Sequence, residues 1–206
     1  MLTDYQHHCR PIRILGPDSA SGPRLGGNPP AGVRPPVMQD STRYFLTLVL
    51  DEASGRELSL FNSFESDFMA FLKKKYVIYR QDELSMVQAV VHDKSTRELE
   101  KSALTSHYEG RALMLEAEVP DEDGWLDSMI YQESKMGGYP FYYQNKESIR
   151  SAANELLSQG FVHLLQVSFP TSKDFLISGN WPYGPYILHV FADHPKNPTD
   201  IRLGWG

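Results

Sequence analysis

One hexapeptide pattern occurs in both halves of this chain, and it limits the folds that the chain can adopt. Residues 24–29, "RLGGNP", and residues 135–140, "KMGGYP", share a cation, an apolar residue, two glycines, a variable residue and a proline. Each copy precedes two strand-like runs: "FLTLVL" and "GRELSLF" in the first, "VHLLQV" and "GPYILHVF" in the second. A repeat of this length exceeds solenoid periods, so it predicts two pseudo-equivalent halves packed into one β-rich body.

The two Gly-Gly loops are predicted to have a structural role. A phosphate-binding Walker loop needs Lys and then Ser or Thr after its last glycine, and neither copy has them. A dinucleotide-binding fingerprint places its glycines between a strand and a helix, whereas here a proline follows closely. Paired glycines supply backbone angles that other residues avoid, and the proline fixes the chain before the next element. Ligand binding by the loops is the alternative interpretation.

Hydrophobic periodicity predicts an α+β fold, with a mostly antiparallel sheet assembly and a few flanking helices. A short helix is expected over residues 62–75, and the strongest helix over 146–159, with Asn145 as its cap and Gly160 as its stop signal. Strands are expected at 44–51, 58–61, 76–80, 86–91 (where a helix is the alternative), 111–119, 161–169 and 185–193. The Gly- and Pro-rich residues 16–37 are expected to form a loop, and the tail 194–206 to be irregular.

We expect one domain over residues 21–206, made of two pseudo-repeats at about 21–110 and 111–206. Residues 1–20 precede it as an N-terminal segment, for which a flexible chain is the expectation. His7, His8 and Cys9 are a candidate metal site, but adjacent residues rarely reach one tetrahedral ion, so a mobile terminus is the favoured interpretation. Cys9 as a nucleophile lacks any neighbour that indicates a low pKa. As the only cysteine, it forms no intrachain disulfide, which fits a reducing compartment.

The composition argues against several classes of protein. A formal net charge of −6 disfavours a generic nucleic-acid binder and leaves basic proteins as partners. The N-terminus lacks the apolar core of a signal peptide, and no run approaches a membrane span, so we expect a cytoplasmic protein. No G-x-S-x-G, H-E-x-x-H or CxxC pattern occurs. We therefore predict no catalytic residue, cofactor or metal.

The densest charge lies in residues 116–133, "EAEVPDEDGWLDSMIYQE", with seven acids and no Lys or Arg. One interpretation is a solvated loop. The functional interpretation is an acidic patch in which Asp121, Glu122 and Asp123 steer a basic partner, while Trp125 holds it by burial.

A second candidate surface is residues 178–186, "SGNWPYGPY", where aromatic residues alternate with Gly and Pro. Trp181 and Tyr183 would form a binding hot spot there; the alternative is that Trp181 only caps the sheet.

These motifs together resemble the YwqG-like domains of unknown function. The resemblance covers residues 20–192 and rests on "SGPRLGGNPP" with "YFLTLVLDE", "LMLEAEVPDED" with "SKMGGYPFYYQ", "HLLQVSF" and "GPYILHVF". The first copy departs from the family pattern, because it lacks Trp-Pro and has Thr47 where a glutamine like Gln166 is typical. The resemblance implies an internally duplicated α+β fold without established catalytic residues, and some members look like immunity proteins of bacterial toxin systems.

The leading hypothesis is a non-enzymatic cytosolic immunity protein that binds a cognate basic toxin and occludes its active site. A nuclease toxin would suit an acidic patch, because its cleft must be basic to hold phosphates. The alternative is a small-molecule-binding protein or enzyme with a cleft between the repeats, faced by His163, Gln166 and the Gly-Gly loops. A structural assembly component is a third hypothesis.

Overall fold

A computed structural model describes residues 5–17, 22–63, 78–80, 86–95, 102–121, 134–141, 147–168 and 187–205. Within these ranges, no helix is long and apolar enough to cross a membrane. The strands are β1 His8–Pro17, β2 Arg24–Leu25, β3 Thr42–Asp51, β4 Arg56–Ser63, β5 Tyr79–Arg80, β6 Val87–Asp93, β7 Arg111–Leu115, β8 Val119–Pro120, β9 Lys135–Gly137, β10 Val162–Val167, β11 Leu188–Ala192 and β12 Ile201–Trp205, and helix α1 is Glu147–Ser158.

The strands form a nearly closed, barrel-like sheet in which each described pair is antiparallel. The hydrogen-bonded order is β5-β12-β11-β10-β9-β1-β7-β2-β3-β4-β6, and β8 also pairs with β1. Helix α1 packs on β10. The prediction of a mostly antiparallel sheet with few helices is therefore confirmed.

One hydrophobic core joins both ends of this strand order. Leu46 and Leu60 come from β3 and β4, and Leu165, Val190 and Leu203 come from β10, β11 and β12; each is at most 2% exposed. Burying a side chain of this size contributes about 1.5–3 kcal/mol. Because side chains alternate along a strand, Phe61, which follows Leu60, faces the opposite side, and the register shift between Tyr44 and Leu46 brings Tyr44 to that side as well. A smaller cluster of Val33, Tyr44, Phe61 and Leu104 covers that side.

Several predicted elements are confirmed with small shifts in their bounds. The runs at 44–51 and 58–61 form the β3–β4 hairpin, and residues 87–91 of the run at 86–91 lie in strand β6 rather than in a helix. The helix predicted over 146–159 is α1, which is followed by Gly160 at a φ of 92°. Its proposed cap, Asn145, and residues 64–75 of the other predicted helix lie outside the described residues.

Three strands appear where the sequence predicted irregular chain. The expectation of a loop over residues 16–37 is wrong for Arg24–Leu25, which form β2 between β7 and β3. The expectation of a flexible terminus is wrong for residues 8–17, which form β1 at the centre of the sheet. The expectation of an irregular tail is wrong for β12, which pairs with β11 over five residues. Strands β1 and β12 carry charged residues or glycine, but their apolar positions, such as Cys9 and Leu203, are buried. Tertiary pairing therefore overrides weak local signals.

Both Gly-Gly loops have the backbone role that the sequence predicted. Gly26 and Gly27 have φ angles of 73° and 71°, and Gly137 and Gly138 have φ angles of 76° and 72°. These angles are unfavourable for residues with a Cβ. A Cβ on Gly138 would also collide with the Asp121 carboxylate and Cys9.

Candidate functional site

The structure describes one of the six residues that were predicted to bind a partner. Asp121 is only 1% exposed, so it does not lie in an exposed acidic patch, and the prediction is wrong for this residue. The other five lie outside the described residues: Glu122, Asp123, Trp125, Trp181 and Tyr183.

Asp121 forms a buried ion pair with the cation of the second Gly-Gly loop. Its Oδ2 atom lies 2.7 Å from Nζ of Lys135 and also accepts a 2.7 Å hydrogen bond from the backbone N–H of Tyr139. The two charged side chains are 1% and 0% exposed. Burying either charge alone would be costly, so each one stabilises the other in the interior. Because Asp121 follows β8 and Lys135 begins β9, the pair also joins the two strands that flank this part of β1.

Two buried histidines lie beside this ion pair. His163 Nδ1 is 3.2 Å from the carbonyl oxygen of Gly138, and His163 Nε2 is 3.2 Å from His189 Nδ1. With both rings neutral, His189 donates to His163 and His163 donates to Gly138. Both rings are 0% exposed, and burial, together with the nearby Lys135 charge, lowers both pKa values, that of His189 to about 3. Both histidines are therefore neutral at pH 7.

Gln166 fixes the end of the same loop. Its Oε1 atom accepts a 2.9 Å hydrogen bond from the backbone N–H of Phe141, and the side chain is 0% exposed. Gln166 is the register partner of Lys135 on one side and of His189 on the other. We call the five buried residues that surround this loop the C-terminal polar cluster: Asp121, Lys135, His163, Gln166 and His189.

A second buried polar chain crosses β3, β4 and β6. Tyr44 Oη donates to Thr47 Oγ1 over 2.8 Å, the hydroxyls of Thr47 and Ser59 are 2.6 Å apart, and Ser59 Oγ is 2.8 Å from His92 Nε2. The other ring nitrogen of His92 lies 2.8 Å from the carbonyl oxygen of Asp93. If Nδ1 carries the proton, Nε2 is the acceptor, and the chain runs from Tyr44 to His92.

Ser59, His92 and Glu57 have the residue types of a hydrolase triad, and the sequence analysis missed them. No motif joins them, although the spacing of Glu57 and Ser59 places both on one face of a strand. Ser59 is 0% exposed and already bonded by Thr47, and Glu57 Oε2 is 3.9 Å from His92 Nδ1, beyond hydrogen-bond distance. Burial raises the pKa of Glu57. The arrangement is therefore closed to a substrate at Ser59.

Cys9 lies in β1 and is 1% exposed. Burial, with a smaller contribution from Asp121, raises the pKa of its thiol to about 11. A thiol with this pKa is a poor nucleophile at pH 7. Over the residues that the structure describes, no group of three or more His, Cys, Asp or Glu side chains is arranged to hold a metal ion.

The alternative hypothesis placed a ligand cleft between the two repeats, faced by His163 and Gln166. Both side chains are fully enclosed. Among the described residues, the strand pairs β2–β7 and β5–β12 join residues 21–110 to residues 111–206. The two side chains are therefore not exposed to a cleft in this structure.

Comparisons of the chain with protein-family models, with curated proteins and with solved structures found no match. The resemblance to YwqG-like domains therefore stays a prediction.

Proposed function

We propose that this chain is a non-catalytic cytosolic binding protein that neutralises a basic protein partner. In its most specific form, the proposal is an immunity protein that occludes the active site of a bacterial toxin, for example a nuclease. Nuclease clefts carry cationic side chains that hold phosphates, so an acidic surface can compete for them.

The uneven distribution of acids is the observation that carries this proposal. Residues 116–133 hold seven acids and no Lys or Arg, whereas the whole chain has a net charge of −6. Among the described acids of this segment, Asp121 is paired internally, Glu116 pairs with Arg13, and Glu118 is exposed. Four acids between Asp121 and Lys135 complete the segment: Glu122, Asp123, Asp127 and Glu133. A local excess of one sign raises the rate at which an oppositely charged partner associates.

Strand β1 and His7, the residue before it, hold the two residues that flank residues 122–133. The backbone N–H of Asp121 donates to the carbonyl oxygen of His7 over 2.8 Å, and the N–H of Ile12 donates to the carbonyl oxygen of Ser134 over 2.9 Å. The Asp121–Lys135 ion pair joins the same two ends. A fixed base supports a binding role, because it reduces the conformational entropy that a partner must remove on binding.

The enclosed polar groups support binding over catalysis. A catalytic residue must reach its substrate, but His163, His189 and Ser59 are each 0% exposed. Their hydrogen bonds instead fix strands and one Gly-Gly loop, as expected of buried polar networks with a structural role.

The internal duplication is also part of this proposal, and the strand registers support it. In β2, β3 and β4, Arg24, Thr47 and Ser59 are aligned; in β9, β10 and β11, Lys135, Gln166 and His189 are aligned. In both the β3–β4 pair and the β10–β11 pair, the register also shifts just N-terminal to these aligned residues. That change lies between Tyr44 and Leu46 in β3, and between His163 and Leu165 in β10. A bulge occupies a single site in a ladder, so a bulge at equivalent positions of both strand pairs supports duplication.

The order of the central strands fits a pseudo-twofold axis. The first repeat would begin with β1 and the second with β7. However, β1 pairs with β9 of the second repeat, and β7 pairs with β2 of the first. The first strand of each repeat is therefore paired with a strand of the other repeat. A twofold axis through the Arg13–Met114 pair would exchange the Ile12–Leu115 pair with the Ile14–Leu113 pair. This arrangement would place β1 within the first repeat, which then starts earlier than residue 21.

A pair of matched charge variants tests the binding proposal. The test variant neutralises the four acids of residues 122–133, and the control neutralises four exposed acids elsewhere, so the two variants have the same net charge. The substitutions are Glu122→Gln, Asp123→Asn, Asp127→Asn and Glu133→Gln in the test variant, and Asp40→Asn, Glu52→Gln, Asp93→Asn and Glu155→Gln in the control.

Each tagged protein is used to capture partners from native cytosol and from cells that express the neighbouring genes, at low and high salt. We expect the unchanged protein and the control to retain one basic partner at low salt, and the test variant to lose it. Equal retention by all three proteins would refute a role of the acidic segment in partner binding, because a screened Coulomb attraction depends on where the charges lie.

A further inference from the structure

We propose that the C-terminal polar cluster is a pH-sensitive lock, in which protonation of His163 and His189 releases the second Gly-Gly loop from β10 and β11. The loop comprises residues 137–141. The lock does not depend on the proposed partner and acts in the protein alone.

Side chains of β10, and Asp121 after β8, hold the loop by hydrogen bonds to its backbone. His163 donates to the carbonyl oxygen of Gly138, and Gln166 accepts from the N–H of Phe141. On the other side of the loop, Asp121 accepts from the N–H of Tyr139. The contacts on the β10 side of the loop therefore depend on His163 and Gln166, whereas Asp121, and Tyr5 through its carbonyl oxygen, hold the other side.

The histidine pair has no arrangement that accepts a proton at its centre. His163 Nε2 is an acceptor, because His189 Nδ1 donates to it over 3.2 Å. A proton on His163 Nε2 would face the N–H of His189, and the two donors would repel each other. The His163 ring also packs against Phe191, with 5.3 Å between the centroids, so it lacks room to turn toward water. A proton on His163 must therefore separate the two rings.

Among the residues that the structure describes, the charged groups around the pair do not compensate an imidazolium. From β9, Lys135 presents an ammonium group, which repels a second positive charge. Asp121, after β8, is committed to Lys135 and to the N–H of Tyr139. From β1 the neighbouring titratable group is the Cys9 thiol, which stays neutral. On α1, which packs on β10, Ala153 is buried and Glu155 is exposed.

The direction of the pH effect follows from proton linkage. Desolvation is the main cause that lowers the pKa of each buried histidine; His189 and then Lys135 lower that of His163 further, and Lys135 lowers that of His189. In the released state the rings are hydrated, with pKa values near 6.5, so that state binds more protons as the pH falls. The lock is therefore fully closed above about pH 6.5 and weakens below it. From pH 6 to pH 5 the released fraction should rise about 60-fold if both histidines are protonated on release, and about 8-fold if only one is.

Amide hydrogen exchange at Phe141, whose N–H is bonded to Gln166 of β10, measures this release directly. The experiment compares the opening equilibria at the two pH values in the unchanged protein, in His163→Gln and in His92→Gln. His92 is the control because it ends the polar chain of the other half and does not contact the loop. We expect about a 60-fold rise in the unchanged protein and in the control, and about an 8-fold rise in His163→Gln.

Three results would overturn the lock. One is a rise of less than about 8-fold in the unchanged protein. Another is an equal rise in His163→Gln, and a third is an equal rise for the amides of β3 and β4, which would indicate global unfolding. If His163→Gln does not fold, the imidazole resonances of the unchanged protein decide the question. Both must stay neutral in the folded protein down to pH 5, and titration of either ring near 6.5 would refute the proposal.

Discussion

Replacing Lys135 by methionine should destabilise the protein strongly. Lys135 and Asp121 are 0% and 1% exposed, and their charged atoms are 2.7 Å apart. Methionine fills most of the volume of the lysine stem but leaves the Asp121 carboxylate without its cation. Removing one member of a buried ion pair costs about 3–5 kcal/mol, because an uncompensated charge stays in the interior. Total stabilities of natural domains are about 5–15 kcal/mol, so this change removes a large share of the free energy of unfolding.

Urea denaturation at constant pH measures the loss, and two further variants apportion it. Arg56→Met breaks an ion pair with Asp93 whose side chains are 33% and 87% exposed, so it should cost at most about 1 kcal/mol. The double variant Asp121→Asn with Lys135→Met removes both charges, and the asparagine oxygen can still accept from the N–H of Tyr139. It should recover about 2 kcal/mol or more of the loss, since the orphaned charge is gone.

A small effect would refute this reasoning. If Lys135→Met loses no more stability than Arg56→Met, the pair is not buried in solution. If the double variant is as unstable as the single one, the lysine contributes through packing rather than through its charge.

Three further predictions test the packing. Gly138→Ala should cost more than about 3 kcal/mol, because its Cβ would meet the Asp121 carboxylate, whereas Gly32→Ala, at a φ of 80° with no atom within 4 Å, should cost only about 1–2 kcal/mol; thermal unfolding compares them. The Cys9 thiol, with its pKa raised to about 11, should react with a thiol reagent at pH 8 only at the rate of unfolding, and rapid labelling without denaturant would contradict its burial. Leu203→Ala should cost about 2–5 kcal/mol by urea denaturation, because the side chain is 0% exposed; a cost below about 0.5 kcal/mol would mean that β12 does not form.

Elements with strong local signals could be predicted from the sequence. The β3–β4 hairpin has two apolar runs around a turn, α1 has an amphipathic pattern with a glycine after it, and the paired glycines predicted left-handed turns. These signals need only neighbouring residues, so no knowledge of the tertiary fold is required.

The polar clusters could not be predicted, because register between distant strands creates them. Asp121 stands among several acids, and nothing local indicates that this one turns inward to Lys135, fourteen positions later. His163 and His189 meet only because β10 and β11 pair with a shift in register. A single β-strand shows which residues share a face, but the partner strand determines which of them touch.

Inhibition of the captured partner by this protein is the most direct test of the proposed function. The partner's activity is titrated with increasing equivalents of the protein, using the four-acid variant as the comparison. We expect one equivalent of the unchanged protein to abolish the activity and the variant to need a large excess, because fewer charges steer the variant to the active site. Full activity of the partner at saturating protein, with the complex formed, would contradict occlusion of the active site.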